Sequence, residues 1–113
     1  MHELALTQSI LDIALSEAEK HGASRVLSIR LKLGEFSGVV PQLIQEYFDI
    51  AGRGTPAEGA RLVMDRVPVT VRCSACGAEN TMDRFRYLCP SCGSDQIRML
   101  TGREFYVDSL EVE

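Results

Sequence analysis

The stretch CSACGAENTMDRFRYLCPSCG, residues 73–93, contains all four cysteines of the chain, as two Cys-x-x-Cys pairs each followed by glycine. Two residues between thiolates let both sulfurs reach one ion while the backbone curls around it. Glycine permits the tight turn that follows. Four thiolates complete a tetrahedron at about 2.3 Å from a metal and leave no open position. The expected ion is therefore a structural Zn(II) on Cys73, Cys76, Cys89 and Cys92, with iron the main competitor for the same donors. Two disulfides would require an oxidising compartment. A thioredoxin-like redox pair would require a strand–helix junction, which neither copy has. The twelve residues between Cys76 and Cys89 are fewer than the usual spacing of about 15–20, but a short hairpin fits them.

Around these pairs, residues 70–101 show little hydrophobic periodicity. So short a segment cannot build an adequate core and needs a staple. The flanks read differently. Residues 4–20 form an amphipathic helix with Leu4, Leu11, Leu15 and Ala18 in one stripe, widened by Ile10 and Ala14. Gly22 ends it, and Lys20 and His21 suit the negative end of its dipole. Val26 to Leu33 alternates as a half-buried strand. Pro41 opens a second helix whose apolar face is Leu43, Ile44, Tyr47, Phe48 and Ala51, and Gly52 and Gly54 end it. GTPAEG is a loop. ARLVMDRVPV (60–69) and REFYVDSLEV (103–112) read as further strands. The expected fold class is α+β: a two-helix, three-stranded sheet unit (1–69 and 102–113) with an inserted zinc-ribbon domain (70–101).

The net charge of -4 is unevenly spread. Residues 69–103 carry five arginines against three acids, and residues 104–113 carry four acids and no base. The cysteine segment is thus mildly basic but lacks the dense stripe and the aromatics of a nucleic-acid binder. No apolar run reaches the ~18 residues of a membrane span, and the N-terminus lacks the features of a signal peptide. A cytoplasmic protein with neither membrane nor nucleic-acid partner is expected. No Ser/His or Cys/His nucleophile arrangement is present, and zinc uses every cysteine better than catalysis would, so the chain is not expected to be an enzyme. On composition alone, a zinc-ribbon adaptor for protein or nucleic acid remains the alternative. His2, within MHEL, reads either as a solvated first residue of the helix or as a ligand.

Six stretches together resemble the HypA/HybF family of nickel-incorporation proteins for nickel–iron hydrogenase maturation. They are MHEL, LGEFSGVVPQLI, GTPAEGARL, CSAC, the F-x-x-x-C-P-S-C-G segment (85–93) and the final TGREFYVDSLEVE, in family order along the whole chain. The resemblance implies a metallochaperone that carries Ni(II) at His2 and structural zinc on the four cysteines. It implies as partners a nickel-handling GTPase and the precursor of the hydrogenase large subunit. In some organisms urease and its accessory protein join them. The oligomeric state would be monomer or weak homodimer.

Chelate chemistry agrees with nickel at the terminus. Histidine at position 2 is too large for removal of the initiator, so Met1 keeps the free amine. The His2 imidazole and amide close a six-membered ring, and the Met1 amine and His2 amide a five-membered one. Nitrogen donors in a near-planar array suit Ni(II). The Glu3 amide or carboxylate is a further candidate. One square cannot hold all of these donors, because the His2 amide would need three cis neighbours. Glu35, in the LGE turn, is a possible carboxylate from outside this segment.

Overall fold

The computed structural model describes residues 2–82 and 86–113, and only the backbone of His2. The chain divides into two compact units. The first comprises Met1–Lys32, Val39–Asp65 and Tyr106–Glu113, and the second Leu33–Gly38 and Arg66–Phe105.

The first unit contains helices α1 (His2–Lys20) and α2 (Pro41–Ala51), which pack against each other. It also contains most of a sheet of β1 (Val26–Gly34), β2 (Arg61–Val67) and β6 (Phe105–Val112) in the order β2-β1-β6. The expected two helices and three-stranded sheet are thus present. Helix α1 starts two residues earlier than the periodicity predicts. Its buried stripe is Thr7, Ile10, Leu11, Ala14 and Ala18, while Leu4 is 52% exposed. Leu4 therefore lies outside the apolar contact, and the buried stripe begins at Thr7. The buried Thr7 hydroxyl is satisfied by donating to the Glu3 carbonyl at 2.7 Å. Gly22 ends the helix as expected, in the left-handed region (φ 64), with the Ala23 N–H returned to the Ala18 carbonyl.

Helix α2 starts with proline in its first turn and buries Ile44 and Phe48. Strand β1 alternates as predicted: Ile29 and Leu31 are fully buried and Arg30 is exposed. Arg30 Nη1 donates to both Asp65 carboxylate oxygens on β2 (2.9 and 2.8 Å), and Lys32 Nζ donates at 3.2 Å. These bonds, the Arg30 bond first, hold the Asp65 carboxyl below its ordinary value. The GTPAEG segment is less solvated than a polar loop suggests. Ala57 and Ala60 are buried, and Thr55 Oγ1 organises the turn by donating to the Gly52 carbonyl and accepting from the Ala57 N–H.

The second unit contains a sheet that the sequence reading did not anticipate: β3 (Thr70–Cys73), β4 (Glu79–Thr81) and β5 (Ile97–Thr101) in the order β4-β3-β5, all antiparallel. The single strand expected over 60–69 ends at Val67, ahead of Pro68, and β3 begins at Thr70. The strand expected from Arg103 begins at Phe105. No hairpin closes within the interval between the cysteine pairs among the described residues. Instead β4 pairs back to β3 through the first Cys-x-x-Cys turn.

The core of this unit is small: Val69, Val71 and Met82, with Phe36, Ile97 and Met99 packed against it. Phe36 also meets the Tyr87 ring at 6.0 Å. Gly34 is required by backbone contact, since a Cβ there would lie 2.2 Å from the Gly102 carbonyl oxygen. This close approach lets the Gly34 N–H reach the Glu104 carbonyl (2.8 Å) and the Phe36 N–H reach the Gly102 carbonyl (2.7 Å).

Candidate metal centre

The two Cys-x-x-Cys turns have the same backbone. In each, the glycine N–H returns to the first cysteine's carbonyl: Gly77 to Cys73 at 2.8 Å and Gly93 to Cys89 at 2.9 Å. In each, the first cysteine's N–H reaches the carbonyl five residues on, from Cys73 to Ala78 and from Cys89 to Ser94. Both glycines have φ 77, a conformation that costs a side-chain-bearing residue but not glycine. Sequence spacing thus becomes two matching loops that turn their sulfurs toward one point. Cys73 and Cys89 are buried, and Cys76 and Cys92 exposed.

The four sulfurs lie within 4.8 Å of one another. Cys73 and Cys92 are 3.6 Å apart, and Cys76 and Cys89 are 3.7 Å apart. A tetrahedron of thiolates about 2.3 Å from zinc has edges of about 3.8 Å, whereas a disulfide would bring two sulfurs to about 2.05 Å. The donor set therefore fits a four-coordinate zinc ion and excludes two cystines.

Electrostatics point the same way. The Cys92 N–H, with that of Ser91 and the neighbouring thiols, lowers Cys89 to about 7. At Cys92 the strongest single influence is the Ser94 N–H, which stabilises the thiolate. The Cys73 thiol, burial and the two remaining sulfurs together outweigh it and push Cys92 up to about 12. One thiolate is cheap in this cluster and the last is not, so only a bound cation can hold all four deprotonated. The sequence reading did not foresee the N–H groups of Ser91, Cys92 and Ser94 as support. Their role is set by backbone geometry, and the one sequence signal for it is the glycine after each pair.

Of the N-terminal residues, Met1 and the His2 side chain lie outside the described residues. Glu3 is half-buried in the first turn of α1. Glu35 is half-buried in the second unit, where its N–H donates to the Val67 carbonyl. Among the described residues the four cysteines are the only group of three or more His, Cys, Asp and Glu side chains that could hold a metal. No helix among them is long and apolar enough to cross a membrane.

Residues 1–112 match the family model described as hydrogenase/urease nickel incorporation, metallochaperone, hypA. The chain belongs to the HypA family. The hydrogenase maturation factor HypA of Geobacter metallireducens is 42% identical over 113 residues, spanning all of both chains. That of Moorella thermoacetica is 38% identical over the same length, again covering both completely. A HypA protein known from its solution structure superposes with a TM-score of 0.76 at 22% identity, covering 100% of this chain and 97% of the other. The solution structure of the Ni metallochaperone HypA from Helicobacter pylori superposes with a TM-score of 0.67 at 20% identity, covering 97% and 96%. These two likenesses establish the HypA fold. Family membership makes the protein a nickel metallochaperone of hydrogenase maturation, and its four-cysteine cluster is suited to structural zinc.

Proposed function

We propose that this protein takes up Ni(II) at its N-terminus and, with a nickel-handling GTPase, delivers it to the immature large subunit of nickel–iron hydrogenase. His2 anchors the ion through its imidazole, with the Met1 amine and Glu3 as further donors. Cys73, Cys76, Cys89 and Cys92 hold Zn(II) in a closed structural site. Residues 1–69 and 102–113 handle nickel, and residues 70–101 form the zinc ribbon. No residue is catalytic. The protein works in the cytoplasm as a monomer or weak homodimer, with urease and its accessory protein as a second route for the same cargo.

The observation that carries this reading is the match to the nickel-incorporation family from residue 1 to residue 112. Physical chemistry supports the division of labour. The first N–H groups of an α-helix have no intrahelical acceptor. Because α1 starts at His2, the His2 and Glu3 amides are among these groups, and their coordination to nickel breaks no helical hydrogen bond. A site made from one chain end can surrender its ion donor by donor. Four thiolates locked in two hydrogen-bonded turns cannot, which suits zinc to a structural role and leaves transport to the terminus.

The test is deletion of the gene in its host. Hydrogenase activity should fall and be restored by excess nickel in the medium. Unchanged activity, or a loss that nickel does not restore, would contradict the reading.

A further inference from the structure

Strand β5 is an edge of the second unit's sheet among the described residues, with β3 on one side and no strand on the other. A groove of about 620 Å³ runs along it, lined by Ile97 through Thr101 and by Arg103 and Glu104. The direction of the free backbone groups follows from the ladder. The Ser74 N–H donates to the Gln96 carbonyl, whereas the Cys73 N–H donates away from β5, to Ala78. In an antiparallel pair the residues that bond to the neighbour alternate with residues that face away. Gln96 and Arg98 therefore face β3, and the N–H and C=O groups of Ile97 and Met99 face the groove.

The charges on the exposed face form an incomplete row. Arg72 on β3 lies opposite Glu79 on one side and opposite Arg98 on the other. All three are exposed. Like charges directly opposite each other destabilise a sheet. Glu79 is opposite Arg72 only, and an acidic residue beyond Arg98 would give the second arginine a partner of its own. Arg103, further along the same groove, is also exposed. Neither Arg98 nor Arg103 forms an ion pair among the described residues. Glu104, the groove's one acid, is engaged through Oε1 by the Gly102 N–H at 2.7 Å. Leu100 is the extra residue of a bulge against β3, so the regular part of the edge is short and centred on Arg98.

We propose that the β5 edge is a docking strand for an extended acidic segment of a partner protein, which pairs its backbone with Ile97 and Met99 and sets carboxylates against Arg98 and Arg103. Main-chain bonds supply the affinity in this mode of recognition and alternate side chains the selectivity. The proposal concerns the second unit alone, Arg103 included, and holds or fails independently of the nickel site.

The test uses full-length, zinc-loaded protein and a blocked peptide of about eight residues with alternating threonine and glutamate, long enough to span the strand. Amide hydrogen exchange should slow at Ile97 and Met99 when the peptide is added. Arg98→Glu combined with Arg103→Glu should weaken binding about tenfold and transfer the preference to the matching threonine–lysine peptide. Both arginines are exposed, so the variant should keep its zinc and its fold. The proposal is overturned if Ile97 and Met99 are not protected, or if wild-type protein binds the lysine peptide equally well. It is also overturned if an oligouridine binds this edge more tightly than the acidic peptide. Self-association abolished by the double variant would overturn it too, since the occupant would then be a second copy of this chain.

Discussion

Removing zinc should unfold the cysteine-bearing unit and leave the helical unit folded. The sizes of the competing contributions support this. Val69, Val71 and Met82 are the buried apolar cluster of the second unit. At about 1.5–3 kcal/mol for each buried side chain they contribute roughly 5–9 kcal/mol. Structural zinc on four thiolates contributes about 10–16 kcal/mol in small peptides. The metal therefore outweighs the fully buried part of the core it accompanies. Chelation also leaves four sulfurs within 4.8 Å of one another, which resist joint ionisation and regain protons. The assay is amide exchange by NMR before and after a zinc chelator, with metal content measured on the same sample. The Met82 N–H, bonded to the Val69 carbonyl at 2.8 Å, should lose protection along with the β3 amides. Amides of Ile10, Ile29 and Phe48, whose side chains are buried in the first unit, should keep theirs. Persistent protection of β3 and Met82 in demonstrably zinc-free protein would refute the reasoning.

Gly34→Ala should destabilise the second unit by about 3 kcal/mol, read as a lower thermal midpoint, because the new Cβ would meet backbone atoms of Gly102 and Arg103 at 2.2–2.7 Å and none of these can rotate away. Asp65 has a lowered folded pKa, so its contribution is fully present above the ordinary carboxylate value of about 3.9 and is lost as pH falls through the folded value. The stability gap between wild type and Asp65→Asn in urea melts should therefore close on acidification from pH ~5 to pH ~2, and a gap of constant size would contradict the ion-pair account. Nickel affinity should fall below about pH 6.5, where an unperturbed imidazole gains its proton. Equal affinities in neutral and mildly acidic buffer, with zinc retained, would show that His2 does not ligate.

The first unit was largely legible in the sequence because its elements are long enough for side-chain period to show. The alternation over Val26–Leu33 and the stripe through Ile10, Leu11, Ala14 and Ala18 each repeat several times, and Gly22 and Pro41 mark boundaries with known backbone requirements. The zinc cluster was legible for another reason: Cys-x-x-Cys-Gly encodes a loop geometry directly. The strands of the second unit were not legible. Glu79–Thr81 has no apolar residue, and Thr70–Cys73 is too short to show a period. They are organised by the two cysteine turns and by backbone contacts such as Gly34 against Gly102, and neither leaves a hydropathy pattern. Leu4 was misplaced because period alone does not show where along a helix the covering core begins.

The central claim is that nickel rides on the N-terminal histidine while zinc stays on the cysteines. Nickel titration of zinc-loaded protein, wild type against His2→Ala, tests it most directly when zinc content is measured on the same samples. The account predicts stoichiometric nickel binding by the wild type, none by His2→Ala, and the same zinc content in both. Nickel binding of unchanged stoichiometry and affinity in His2→Ala would contradict it.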